Sequence, residues 1–107
     1  MALRIALICP DQHVEYDGHT PNTSGIGGGI TARVSLLAAL ARLGHAATAV
    51  VNCQTPTTID GVQYRPLRDC STIDADVLIG MTTGDRLSFD DLRIRDIRAS
   101  LRVAWVQ

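Results

Sequence analysis

The run Ser24-Gly25-Ile26-Gly27-Gly28-Gly29 puts four glycines in five positions and strips side chains from a stretch of main chain. A chain does this where it needs unusual dihedrals or where a ligand must come close to the backbone. The run stands just ahead of an apolar stretch with helical spacing. Unpaired N–H groups and the positive end of a helix dipole meet at such a point, and the chemistry they favour is anion binding, phosphate above all. Arg33 lies near the start of that helix, where it is either a partner for an anionic ligand or a solvated surface arginine. A second polar group, Thr82, Thr83 and Asp85, follows an apolar strand and is placed either to meet a ligand or to cap a helix.

The elements that must position these residues follow from hydrophobic spacing. Residues 4–9 are a continuous apolar run closed by Pro10, as expected of a parallel strand buried on both faces. Residues 11–29 form a long polar loop carrying His13 and His19, for which solvent exposure is the simpler reading. Over residues 30–43, Ile30, Val34, Leu37 and Ala41 share one helical face, which Leu36, Leu40 and Leu43 widen. Gly44-His45 supplies the helix stop, with a structural role for His45. Residues 48–53 read as a second buried strand, 55–60 as a turn-rich connection, and 62–67 as a strand near a sheet edge, closed by Pro66. Residues 76–81 read as a further buried strand, 87–101 as a helix carrying Leu92, Ile94, Ile97 and Leu101, and 102–107 as a last strand.

This order predicts an α/β fold with an open, mostly parallel, Rossmann-like sheet and flanking helices. Ligands bind such sheets beyond the carboxyl ends of the strands, near a topological switch point. The glycine run and the Thr82–Asp85 segment each follow a strand, so both fall on that rim.

Composition narrows the classes of partner. At 107 residues the chain is one domain, and an apolar fraction of 46% supports a core. All ten basic residues are arginine, set against eleven acidic ones, so the net charge of -1 gives no footprint for nucleic acid and no polybasic membrane patch. Cys9, Cys53 and Cys70 are too few and too scattered for a disulfide framework or a zinc site, and core thiols in a reducing compartment are the simplest reading. With no signal peptide and no stretch of transmembrane length, the expected location is cytoplasmic, with peripheral membrane association left open.

Three phosphate motifs compete for the glycine run. A Walker A loop ends in Gly-Lys-Ser/Thr, and this chain has no lysine. A dinucleotide fingerprint counted from Gly25 puts Ile30 at its third glycine, and Asn52 stands where an acidic residue would hold ribose. The third pattern matches in order. A strand ending at Pro10 leads through a long loop to Gly27-Gly28-Gly29-Ile30. A helix closing in Gly44-His45 follows, then the strands Thr48-Ala49-Val50-Val51, Val62-Gln63-Tyr64-Arg65-Pro66-Leu67, Asp76-Val77-Leu78-Ile79-Gly80 and Arg102-Val103-Ala104-Trp105-Val106-Gln107. This set, spanning nearly the whole chain, resembles the N-terminal domain of GT-B glycosyltransferases, in particular the large retaining group called family 4.

The resemblance implies that residues 1–107 are a partial N-terminal domain facing a C-terminal, donor-binding domain that lies outside this chain. It implies transfer of a sugar from a nucleotide-sugar donor to an acceptor that the sequence does not name. No cofactor or metal is implied beyond that donor. Gly27, Gly28 and Gly29 would line the donor phosphates, and Arg33, Thr82, Thr83 and Asp85 become possible substrate contacts. Many members carry a histidine after the fourth strand, where this chain reads Met81-Thr82-Thr83-Gly84-Asp85, so no residue here is assigned as catalytic. The glutamate pair that grips the donor belongs to the second domain, and the chain alone is expected to be inactive. The alternative, from a different class, is a stand-alone α/β nucleotide-binding or regulatory module without chemistry.

Overall fold

The computed structural model describes residues 2–9, 28–83, 86–87 and 97–105. Among the described residues it is α/β, with one α-helix and a mostly parallel mixed sheet. The strands are β1 (Arg4–Ile8), β2 (Ala46–Val51), β3 (Thr57–Ile59), β4 (Val62–Pro66), β5 (Asp74–Thr83), β6 (Arg86–Leu87) and β7 (Arg98–Trp105); α1 spans Gly28–Arg42. Six strands lie in the order β3-β4-β2-β1-β5-β7, and β6 folds back antiparallel on the end of β5. β4, β2, β1, β5 and β7 are mutually parallel, and β3 is antiparallel at one edge.

β1 is the central strand because its sequence is apolar on both faces. Leu7, Ile8 and Cys9 are fully buried and Ala6 nearly so. Its alternate residues feed two cores. Leu7 and Cys9 join Leu37, Ala47, Ala49, Val51, Val62 and Tyr64 beneath α1, whereas Ala6 and Ile8 join Val50, Ile73, Leu78 and Ile97 on the opposite face.

α1 buries Leu37 and Ala38 and packs Leu40 and Ala41 against the sheet. Leu36 and Leu43 do not widen this face: they are 37% and 74% exposed. The helix ends as Gly44-His45 predicts. Gly44 takes a φ of 97°, its N–H donates to Ala41 O at 3.0 Å, and the His45 N–H donates to Leu40 O at 3.2 Å. These two bonds satisfy carbonyls that the helix would otherwise leave open. His45 Nδ1 then accepts the Leu3 N–H at 3.1 Å and ties the helix end to the start of β1.

Three sequence expectations are corrected. Residues 55–60 are not only a turn: Thr57–Ile59 pairs antiparallel with β4 through Asp60-Gly61. The helix expected over 87–101 does not include residues 98–101, which belong to β7, or Leu87, which belongs to β6. The sequence from Arg98 to Trp105 sets charged or small residues against Ala99, Leu101, Val103 and Trp105 with a period of two, and that alternation prevails over the wider helical spacing. Residues 67–72 form a short 3-10 helix that no apolar period announced.

At the amino end of the sheet, Arg4 clamps β1 to β5. Its N–H donates to Asp76 Oδ2 at 2.8 Å and its guanidinium to Asp76 Oδ1 at 3.2 Å, with Asp74 Oδ2 at 3.5 Å. The Arg4 N–H, then the guanidinium, hold the Asp76 carboxyl below its ordinary range. A carboxyl depressed by folding contributes stability above its unfolded pKa of about 3.9, and that contribution is lost as pH falls through the folded value. Asp76→Asn is therefore expected to lose that contribution at neutral pH, to differ little from the wild type below the folded pKa, and so to flatten the acid limb of the stability curve. Urea unfolding across the acid range checks this; an unchanged acid limb would exclude the clamp as a source of stability.

Candidate functional site

The strand order fixes where a site can lie. From β1 the chain passes through α1 to β2 on one side, and only after β4 does it cross to β5 on the other side of β1. The elements that follow β1 and β5 therefore lie on opposite sides of β1 in the strand order, a topological switch point of the kind at which open α/β sheets bind ligands. Ile8 is in register with Gly80, so β5 runs on past β1 through Thr82 and Thr83. Cys9 extends β1 by one further bond, its N–H donating to Val50 O at 3.1 Å.

The predicted site residues fall near this switch point to different degrees. Gly28 and Gly29 are the first two residues of α1, so the helix begins earlier than the apolar pattern from Ile30 suggested. Their N–H groups stand in the first turn, which has no intrahelical acceptors. That turn itself carries no acidic residue to complement the dipole. Arg33, one turn on, turns toward the sheet: its Nη1 donates to Cys9 Sγ at 3.5 Å. The arginine is half-buried, not a freely solvated surface residue, and it stands at the carboxyl end of β1.

Thr82 and Thr83 are strand residues, paired with Leu87 and Arg86 of β6. The expectation that Thr83 caps a helix is corrected, because a strand, not a helix, follows within three residues. Gly27, Asp85, His13 and His19 lie outside the described residues. Asn52 immediately follows β2 on the same rim. Cys9 was read from sequence only as a core thiol; its placement at the switch point beside Arg33 is the contact that sequence reasoning missed. The available signal was its position as the last apolar residue before Pro10.

Two hollows among the described residues lie elsewhere. One of about 270 Å³ opens on the sheet face away from α1, lined by Arg4, Thr48, Gln63, Arg65 and Asp74 among others. Another of about 400 Å³ sits beside the β3–β4 hairpin, at Pro56, Thr57, Thr58 and Gln63 to Arg65. Neither includes a predicted site residue. Arg65 in the first is engaged by Asp69 at 3.6 Å, which leaves these hollows without a convergent binding group of the kind a ligand pocket needs.

No cluster of three or more metal-ligating side chains occurs among the described residues, and no helix among them is long and apolar enough to cross a membrane. The first-turn N–H donors of α1 and the guanidinium of Arg33 are groups of the kind that partner anions. Comparison of the chain with protein-family models, with curated proteins and with solved structures finds no match in any of the three.

Proposed function

We propose that this chain is the N-terminal part of a GT-B glycosyltransferase and that its rim holds the diphosphate of a nucleotide-sugar donor. The observation that carries the reading is the switch point between β1 and β5, with the side-chain-free start of α1 and Arg33 on the β1 side of it. The five parallel strands, taken in chain order, lie 3-2-1-4-5, an order that matches the first five strands of a doubly wound sheet and so supports the reading.

The chemistry follows from where charge develops. Sugar transfer releases a nucleoside diphosphate, so negative charge builds on the phosphate next to the sugar as the glycosidic bond breaks. N–H donors at Gly28 and Gly29, with Gly27 expected beside them, meet that charge without having to reorganise, which is the most effective form of transition-state stabilisation. A cation near the positive end of a helix is disfavoured by the dipole, and a bound phosphate between helix start and Arg33 relieves that cost. Thr82, Thr83 and Asp85, on the β5 side, are proposed to contact the sugar or acceptor. The second domain would supply the remaining donor contacts. Two described cysteines, Cys9 and Cys53, carry free thiols, which supports a reducing, cytoplasmic setting.

Calorimetric titration with a panel of nucleotide sugars tests the reading. At least one is expected to bind saturably and more tightly than its nucleoside or free sugar. Arg33→Gln is expected to weaken that binding about tenfold or more, the scale of one charge-assisted hydrogen bond. If no nucleotide sugar saturates the protein, or Arg33→Gln binds as the wild type does, the donor assignment fails.

A further inference from the structure

Cys9 and Cys53 stand just beyond the ends of two neighbouring strands, on one rim of the sheet. Cys9 follows β1 and donates its N–H to Val50 O at 3.1 Å, which sets it beside Val51, the last residue of β2. Cys53 comes two residues later but does not continue the strand: its N–H turns back to donate to Val51 O at 2.8 Å. That tight turn shortens the step from Val51, which would be about 6–7 Å in extended chain, and so keeps Cys53 nearer the level of Cys9. Both residues pack on the core beneath α1, so their side chains share one face of the sheet. Neighbouring strands lie about 4.8 Å apart, inside the window of about 4.4–6.8 Å between Cα atoms that a disulfide spans. The two thiols differ in access, since Cys9 is fully buried and Cys53 half-buried.

We propose that Cys9 and Cys53 are a redox pair that closes reversibly into a disulfide across the ends of β1 and β2. The oxidant is a small disulfide of the glutathione class, RSSR. Burial sets the order of attack, because only Cys53 is open to such a molecule. The Cys53 thiolate attacks one sulfur of RSSR, a mixed disulfide forms on Cys53, and one RS⁻ leaves. The Cys9 thiolate then attacks Cys53 Sγ and expels the second RS⁻. The two protons given up by the thiols end on the two leaving groups. Two cysteine thiols and one RSSR thus become one internal disulfide and two RSH, with the cysteines oxidised and RSSR reduced. Arg33 Nη1, which donates to Cys9 Sγ at 3.5 Å, gives the sulfur that makes the second attack a charge-assisted partner. Where thiols are kept reduced, disulfides take this transient, redox-sensing form, so the pair agrees with a reducing setting.

Mass spectrometry of the folded 107-residue protein after exposure to oxidised glutathione tests this. Trypsin cuts after arginine, with Arg65 protected by Pro66, and so puts Cys9, Cys53 and Cys70 on separate peptides, 5–33, 43–68 and 69–86. The wild type is expected to yield peptides 5–33 and 43–68 joined by a disulfide that dithiothreitol reverses. Cys9→Ala is expected to keep a glutathione adduct on Cys53, and Cys53→Ser to keep Cys9 reduced through the same exposure. A wild type with no joined pair, with a link through Cys70 in its place, or halted at the Cys53 adduct overturns the proposal, as does a link that forms only in urea. Should Cys9→Ala fail to fold, Cys53→Ser decides: a Cys9 that reacts there as fast as in the wild type also overturns it. No nucleotide enters the assay, so failure of the redox pair leaves the donor reading standing, and the converse holds.

Discussion

Leu7→Ala is expected to take the protein to the brink of unfolding. Leu7 is fully buried in the central strand, with β2 on one side and β5 on the other, and it belongs to the core beneath α1. Truncation there removes the transfer free energy of the lost carbons and leaves a cavity that a two-sided strand cannot collapse to fill. The cost of such a change is about 2–5 kcal/mol. A domain of this size has about 5–15 kcal/mol in all, so the loss is a large share of the total. In urea the midpoint should fall by about 1–2 M. Leu43→Ala, at a position 74% exposed, is the matched control and should stay within about 0.5 kcal/mol of wild type. Equal midpoints for the two variants would contradict the placement of β1 at the centre of the sheet.

Gly61→Val is the second large effect. Asp60 and Gly61 have φ values of 53° and 80°, and Ile59 pairs directly with Val62, so the two residues form a type I′ hairpin turn. A β-branched residue at Gly61 meets two obstacles. The positive φ costs about 1–3 kcal/mol in a side chain that rarely adopts it. A Cβ there would also stand 3.2 Å from Ala41 Cβ, pressing the hairpin against α1. The expected total is about 2–4 kcal/mol. Gly44 separates the two terms, because it has a φ of 97° but open space around its would-be Cβ. Gly61→Ala should therefore destabilise more than Gly44→Ala, and the difference measures the contact. If the two alanine variants are equal in urea midpoint, the crowding against Ala41 is not real.

These positions also show how far the sequence could be read. β1 was legible because a strand buried on both faces must be apolar throughout, and residues 5–9 are. α1 and its end were legible because Leu37 and Ala41 recur at helical spacing and Gly44 is the residue a left-handed stop requires. The β3–β4 hairpin was missed although Asp60-Gly61 is a strong hairpin signal, since Thr57-Thr58-Ile59 is too short and polar to announce a strand by alternation. β7 was begun too late because Ile97 and Leu101 fall four residues apart and so imitate a helix face. At the site, the carboxyl rim was legible from element order alone. The contact of Arg33 with Cys9 was not, because it joins residues 24 positions apart through tertiary packing that no local spacing encodes.

The central claim is that the start of α1 at the sheet rim is a cradle for phosphate. Its most direct test follows the backbone amides of the isotope-labelled protein by NMR during titration with a nucleoside diphosphate and, separately, with the bare nucleoside. The account predicts saturable shifts of the Gly28 and Gly29 amides with the diphosphate and little response to the nucleoside. Shifts confined to the hollows around Gln63 and Arg65, or no diphosphate-dependent shift at Gly28 and Gly29, would contradict it.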